Sequence, residues 1–224
     1  MKSKFTFFHQ KKFLTESSID SLNSKFSEIV TKKLYSSPHD NVIQINIEEL
    51  DNEPLLSDLA KEINLFFYNK IKPIKLNLAK LWLISSTSKH TDPLILPYIP
   101  HFDKHRYFKA MIYLHDVTKD HGPLHLGNVS ENVDIESMRN KLPENYKLLG
   151  LNTINDNDIL GEMTPMLGSA GDIIFFDTNT AHKAGIITEG SMRRVLRFDF
   201  DIDFIMRTCL VLLDLPVLFK VRTF

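Results

Sequence analysis

His101-Phe102-Asp103 sets an imidazole and a carboxylate two positions apart. On an extended chain, residues at that spacing point to the same face. A second imidazole, His182, follows far downstream. Two histidines and one carboxylate grip Fe(II) from one side and leave its other positions open for substrate and oxygen. Arg193 stands eleven residues beyond His182, and its guanidinium is suited to clamp the carboxylate of a co-substrate. Taken jointly, these residue types predict an iron enzyme.

The elements around them must deliver these side chains to one place. His101 and Asp103 follow a loop rich in proline (Pro93, Pro97, Pro100) and precede a strand predicted over Arg106 to His115. That places them at a strand mouth, where sites in β-barrels form. Ahead of His182, a glycine turn at Gly171-Asp172 feeds the apolar run Ile173-Ile174-Phe175-Phe176-Asp177. The run ends in the polar loop Thr178-Asn179-Thr180-Ala181. A rigid strand delivering a histidine to a polar mouth is what a metal site requires.

From Met192 to Phe200, alternation puts Arg193, Val195, Arg197 and Asp199 on one face. Arg194, Leu196, Phe198 and Phe200 share the other, which suits packing under a helix. The face with two arginines suits a polar barrel interior. A buried arginine there needs a partner. Each feature also has a plainer reading: a loop hydrogen bond for His101 and Asp103, a structural role for His182, and Asp199, Asp201 or a surface acid as partner of Arg193 or Arg197.

The first third of the chain reads as helical. Ile19, Leu22, Phe26, Ile29, Val30 and Leu34 recur at helical spacing from Ser17 to Leu34, with Thr15, Ser17 and Ser18 as caps. A strand is predicted over Val42 to Ile47, and a second amphipathic helix from Pro54 to about Ile71. Short strands follow, at Leu78 to Ser85, Arg106 to His115, Asp172 to Phe176 and Arg193 to Phe200. A helix from Ser130 to Leu142, capped by Ser130, interrupts them. Two helices followed by antiparallel-looking strands predict an α+β protein built on a β-sandwich or small barrel.

The bulk numbers bound the function. A chain of 224 residues suits one domain, with helices over residues 1–75, a β core over 76–203 and a tail over 204–224. A net charge of −1 excludes nucleic-acid binding by overall charge. Cys209 is the sole cysteine, so no disulfide forms within the chain; a reducing, cytoplasmic setting is expected, which also suits ferrous iron. The apolar stretch after Met1 is too short for a signal peptide, and no run is long enough to span a membrane. The apolar tail from Cys209 to Phe219 is expected to be a final helix packed on the core.

The ordered set of motifs resembles the phytanoyl-CoA dioxygenase family. It comprises His101-x-Asp103, then Met111-Ile112-Tyr113-Leu114-His115-Asp116-Val117-Thr118-Lys119-Asp120-His121-Gly122-Pro123-Leu124, then Gly171-Asp172 with its apolar run, then His182 and Arg193. The resemblance covers about Trp82 to Asp201. It departs at His125-Leu126-Gly127-Asn128, where the family usually reads Pro-Gly-Ser-His, and at His115, where an aspartate is common.

What the resemblance implies is a double-stranded β-helix (jelly-roll) core with the N-terminal helices packed on its outer sheet. It implies Fe(II) held by His101, Asp103 and His182, and 2-oxoglutarate as co-substrate with its far carboxylate on Arg193. Arg197 is the reserve for that role or for a substrate anion, and Tyr113 a hydroxyl donor to the co-substrate. The implied reaction consumes oxygen, releases succinate and CO2, and hydroxylates an unactivated C–H of a small-molecule or carrier-linked substrate. Halogenating relatives carry a small residue in place of the carboxylate, whereas Asp103 is retained here. The competing reading is a β-helix module that binds or regulates without catalysis.

Lys104, His105, Arg106 and Lys109 make one flank basic, which favours an anionic substrate unless they are simply solvated. A rival metal pair, His121-x-x-x-His125, has the spacing of zinc ligands on a helix, but Gly122 and Pro123 inside it argue against a helix.

Overall fold

The structure is a computed structural model and describes residues 7–37, 39, 41–70, 76–130, 133–154 and 160–202. The elements are, in order, β1 (Phe7–Gln10), α1 (Glu16–Lys32), β2 (Val42–Ile45), α2 (Ile47–Leu50), α3 (Pro54–Lys70), β3 (Leu76–Thr87) and β4 (Phe108–Tyr113). After these come β5 (Leu124–Val129), α4 (Ile135–Asn140), β6 (Leu160–Met166), β7 (Ile173–Asp177), β8 (Ala181–Ala184) and β9 (Met192–Ile202). The apolar tail that the sequence assigns to a final helix lies outside the described residues.

Two antiparallel sheets face each other. The larger has six strands in the order β1-β7-β4-β9-β3-β2, the smaller three in the order β6-β5-β8. This is the double-stranded β-helix arrangement. Period-two alternation gives each strand of the larger sheet two different faces. Ala110, Ile112, Ile173, Phe175, Leu196, Phe198 and Phe200 point outward. They pack under Leu22, Phe26 and Ile29 of α1 and Leu56, Leu59, Ile63 and Phe67 of α3. Met111, Tyr113, Ile174, Phe176 and Val195 point inward and meet Leu124, Leu126 and Met166 of the smaller sheet.

The helices form where the apolar stripe predicts them. Thr15 caps α1 by accepting the Ser18 N–H at 3.3 Å. The helix stops at Lys33, which turns left-handed at φ 50° and returns its N–H to the carbonyls of Ile29 and Val30. The predicted stripe ran further, but Val30 and Leu34 are exposed.

The helix predicted from Ser130 is shorter than expected. Ser130 accepts the Val133 N–H in a turn, and Asp134, in extended conformation, caps α4 by accepting the Ser137 N–H at 3.1 Å. Its far end tightens into i to i−3 bonds at Lys141 and Leu142, as Pro143 disfavours continuing the helix. Among the described residues, no helix is long and apolar enough to cross a membrane.

Candidate metal centre

The two histidine segments meet as a pair of backbones. His101 donates its N–H to the His182 carbonyl at 3.1 Å, and His182 returns the bond at 3.0 Å. Their rings stand 4.4 Å apart. Phe102, between the two sequence-predicted ligands, turns the other way and is fully buried against Ile135, Ile154 and Ala181. Alternation therefore aims His101 and Asp103 to the same side, as their spacing predicts. One ligand atom each from His101, Asp103 and His182 lies within 4.8 Å of the others. His182 Nε2 is 3.7 Å from Asp103 Oδ1.

The protonation of both rings is set by backbone carbonyls two residues upstream. His101 Nδ1 is 2.8 Å from the Ile99 oxygen, and His182 Nδ1 is 3.0 Å from the Thr180 oxygen. A carbonyl only accepts, so each Nδ1 carries a hydrogen, and the tautomer of the neutral ring puts the lone pair at Nε2. His182 Nε2 is buried and, among the described residues, has no hydrogen-bond partner. Burial, aided by repulsion from His182, pushes the His101 pKa down to about 3, so its imidazole is neutral. Burial raises the Asp103 pKa, but the Lys109 ammonium and His182 outweigh it and hold the carboxyl well below its usual range.

Asn152 and Arg139, which the sequence does not single out, hold this loop together with Arg106 and Lys109 of the basic flank. Asn152 grips Phe102 from both ends: its carbonyl accepts the Phe102 N–H at 3.0 Å and its side-chain amide donates to the Phe102 carbonyl at 2.9 Å. Arg139 donates to the Asp103 carbonyl at 2.8 Å and to the Thr178 carbonyl at 3.3 Å, tying the two ligand loops together. Arg106 clasps Asp177 at 2.6 Å and Glu136 at 3.2 Å. Lys109, buried on β4, sets its Nζ 2.6 Å from Asp103 Oδ2. A lysine at an inward position of the otherwise apolar run Phe108 to Tyr113 was the available sign of this.

Arg193 is buried on the concave face, and among the described residues its Nε and Nη1 have no hydrogen-bond partner. Burial lowers its pKa, and Tyr113 and Tyr98 oppose that only in part. Among the described residues, no carboxylate lies within ion-pair distance of it. Arg197 differs: it pairs with Asp199 at 3.0 Å and stacks over Trp82 at 4.8 Å. Tyr113 donates its hydroxyl to the Met166 carbonyl at 2.8 Å and accepts the Leu124 N–H at 3.3 Å, so its only proton is committed within the protein.

His121 and His125 do not form a helix. His125 is paired in β5 opposite Lys183, whereas the His121 ring lies 5.3 Å from that of His115. Of the basic flank, Arg106 and Lys109 are neutralised inside the protein, and Lys104 lies over the Tyr146 ring at 5.3 Å.

The family model described as phytanoyl-CoA dioxygenase matches residues 7–195. Among curated proteins, none matches the chain. Among solved structures, the chain is similar to AviO1 from Streptomyces viridochromogenes Tue57, with 15% identity, a TM-score of 0.60, and 90% of this chain and 91% of that one covered. It is similar to HygX from Streptomyces hygroscopicus, solved with nickel and 2-oxoglutarate, with 13% identity, a TM-score of 0.60, and 89% and 84% covered. It is also similar to SnoN, described as a non-heme alpha ketoglutarate dependent epimerase from nogalamycin biosynthesis, with 14% identity, a TM-score of 0.61, and 88% and 78% covered. At these identities the likeness is one of fold.

Proposed function

The chain belongs to the phytanoyl-CoA dioxygenase family, and from that premise we propose that it is an Fe(II)- and 2-oxoglutarate-dependent oxygenase. Its reaction hydroxylates an unactivated C–H bond of a small-molecule or carrier-linked substrate, consuming oxygen and releasing succinate and CO2. The observation that carries this reading is the convergence of His101, Asp103 and His182 with their ligand atoms within 4.8 Å of one another. The unshared, buried Nε2 of His182 adds to it.

The residues fit the metal. Two imidazoles whose Nδ1 atoms are engaged by backbone carbonyls, leaving Nε2 to ligate, and one carboxylate held ionised make a donor set for a divalent ion that leaves positions open. The unpaired Arg193 fits the co-substrate. A buried guanidinium without an acid costs stability, and a dicarboxylate reaching it through its far end relieves that cost. A β-helix that had given up catalysis would have no use for either strain. Arg197, satisfied by Asp199, and Tyr113, satisfied by Met166, are left to shape the walls.

His101, Asp103 and His182 would hold the iron, which supplies an oxidation of the C–H bond coupled to decarboxylation of the keto acid. The chain orients and shields. The carbonyls of Ile99 and Thr180 fix the rings, Arg193 fixes the far carboxylate, and Phe176, Met111 and Val195 keep the concave wall apolar and exclude water. Asp103, a carboxylate where halogenating relatives carry a small residue, supports hydroxylation.

The test is anaerobic addition of Fe(II) and 2-oxoglutarate, followed by the visible charge-transfer absorption of the chelate. The wild type should develop the band, and His182→Ala and Asp103→Ala should lose it. Succinate release across amino acids, sugars, acyl carriers and peptides then finds the substrate. A wild type with neither band nor 2-oxoglutarate binding would remove the assignment.

A further inference from the structure

Lys109 is the charged group next to the metal centre that the reaction above does not use. It is 6% exposed, and its nearest neighbours are acidic and aromatic: Asp103 Oδ2 at 2.6 Å and the Phe176 ring at 6.0 Å. On β9, Asp199 is its Cα partner, but that carboxylate is already bound by Trp82 and Arg197. The two oxygens of Asp103 therefore have different partners. Oδ1 faces His182 Nε2, and Oδ2 faces the ammonium.

A carboxylate binds a divalent ion through one oxygen or through both. An ion held by three side chains through one atom each would leave positions open for the co-substrate and oxygen. A second oxygen from Asp103 would take one of them away. Resting on the metal-centre reading, we propose that Lys109 is a positioning residue: it occupies Oδ2 of Asp103, limits this ligand to one-point contact through Oδ1, and so reserves a position for the incoming co-substrate.

The charge of Lys109 acts in the same direction. A cation this close repels a bare divalent ion and favours the complex once a dianion joins it. The role therefore carries an unusual signature. Removing Lys109 should tighten binding of the metal alone and weaken binding of 2-oxoglutarate to the loaded protein. A merely structural lysine would move both constants in one direction, together with the melting temperature.

The experiment uses the full chain, with Co(II) as probe, in anaerobic calorimetry, followed by titration of 2-oxoglutarate onto the Co(II) protein. Lys109→Met should bind Co(II) about tenfold more tightly and 2-oxoglutarate about tenfold more weakly. The visible Co(II) bands should change as the second carboxylate oxygen enters. Lys109→Arg, which keeps charge and donor, should stay within about threefold of wild type on both constants. Should Lys109→Met fail to fold, Lys109→Leu, which also removes both charge and donor, carries the same expectation. Constants that stay unchanged, or that weaken together, overturn the role of Lys109. Failure of the wild type to bind Co(II), or equal binding by Asp103→Ala, would instead remove the metal centre itself.

Discussion

On the helix side of the larger sheet, Ala110, Ile112, Phe175, Leu196 and Phe198 are buried among apolar neighbours. On the concave side the same strands carry Lys109, Arg193, Arg197 and Asp199 between Met111, Tyr113 and Val195. One strand thus presents an apolar face to the helices and a mixed face of charged and apolar side chains one residue out of phase. The helix face gains free energy from its apolar side chains. The inner side spends some of it on a buried guanidinium with two donors unpartnered among the described residues and on a neutral His101. Placing the costly groups on the inner face lets the outer face hold the fold while the inner one stays available for ligands.

The largest effect expected from this contrast lies on the outer face. Phe198 is fully buried, with its ring 6.4 Å from Phe200. Phe198→Ala should cost about 3–5 kcal/mol in urea unfolding. Metal affinity of the molecules that remain folded should be unchanged. A cost below about 1 kcal/mol would mean that the helices do not anchor the sheet.

The next effect is acid sensitivity, and it belongs to the inner face. The folded pKa of His101 lies near 3, against 6.5 for the free side chain. The unfolded chain therefore binds a proton that the fold refuses. Stability contributed by the neutral ring is complete above the unfolded value and is lost as pH falls from about 6.5 toward 3. In metal-free protein at about pH 5 this amounts to about 2 kcal/mol relative to neutral pH. Urea midpoints of wild type and His101→Gln should diverge at pH 7 and converge in acid. Because burial also lowers His115 and His125, the difference between the two proteins is what isolates His101. Parallel curves would place His101 outside this account.

The legible features of the molecule follow from periodicity and residue type. The alternation around Phe102 sends His101 and Asp103 together, and that of β9 separates Arg193 from Leu196 and Phe198. Those are properties of single strands, so a sequence shows them. Which arginine lacks a partner depends on what stands across the cavity, and that is a property of the assembled sheets. Arg197 finds Asp199 two residues away on its own face, whereas Arg193 finds two phenols and no acid among the described residues. The grips of Asn152 and Arg139 on the metal loop were hidden for the same reason: they join segments 50 and 36 residues apart in the chain. Tyr113 suits a hydroxyl donor by position, but the Met166 carbonyl at the end of β6 takes its proton.

The smallest effect on stability should be the one of opposite sign. Arg193 is desolvated with no compensating carboxylate among the described residues, so Arg193→Met removes an uncompensated charge and leaves a stem of similar bulk. The metal-free variant should be more stable than wild type by about 1–2 kcal/mol, the direction seen when buried charges give way to well-packed apolar groups. The same substitution should weaken 2-oxoglutarate binding to the Co(II) protein by at least about tenfold, because each hydrogen bond to the charged clamp contributes about 1.5–3 kcal/mol. A pair of melting curves reads both: 2-oxoglutarate should raise the melting temperature of the metal-loaded wild type and leave that of the variant in place. If the variant were instead less stable and still shifted by 2-oxoglutarate, Arg193 would belong to the packing. The concave face would then be built for stability in the same way as the helix face.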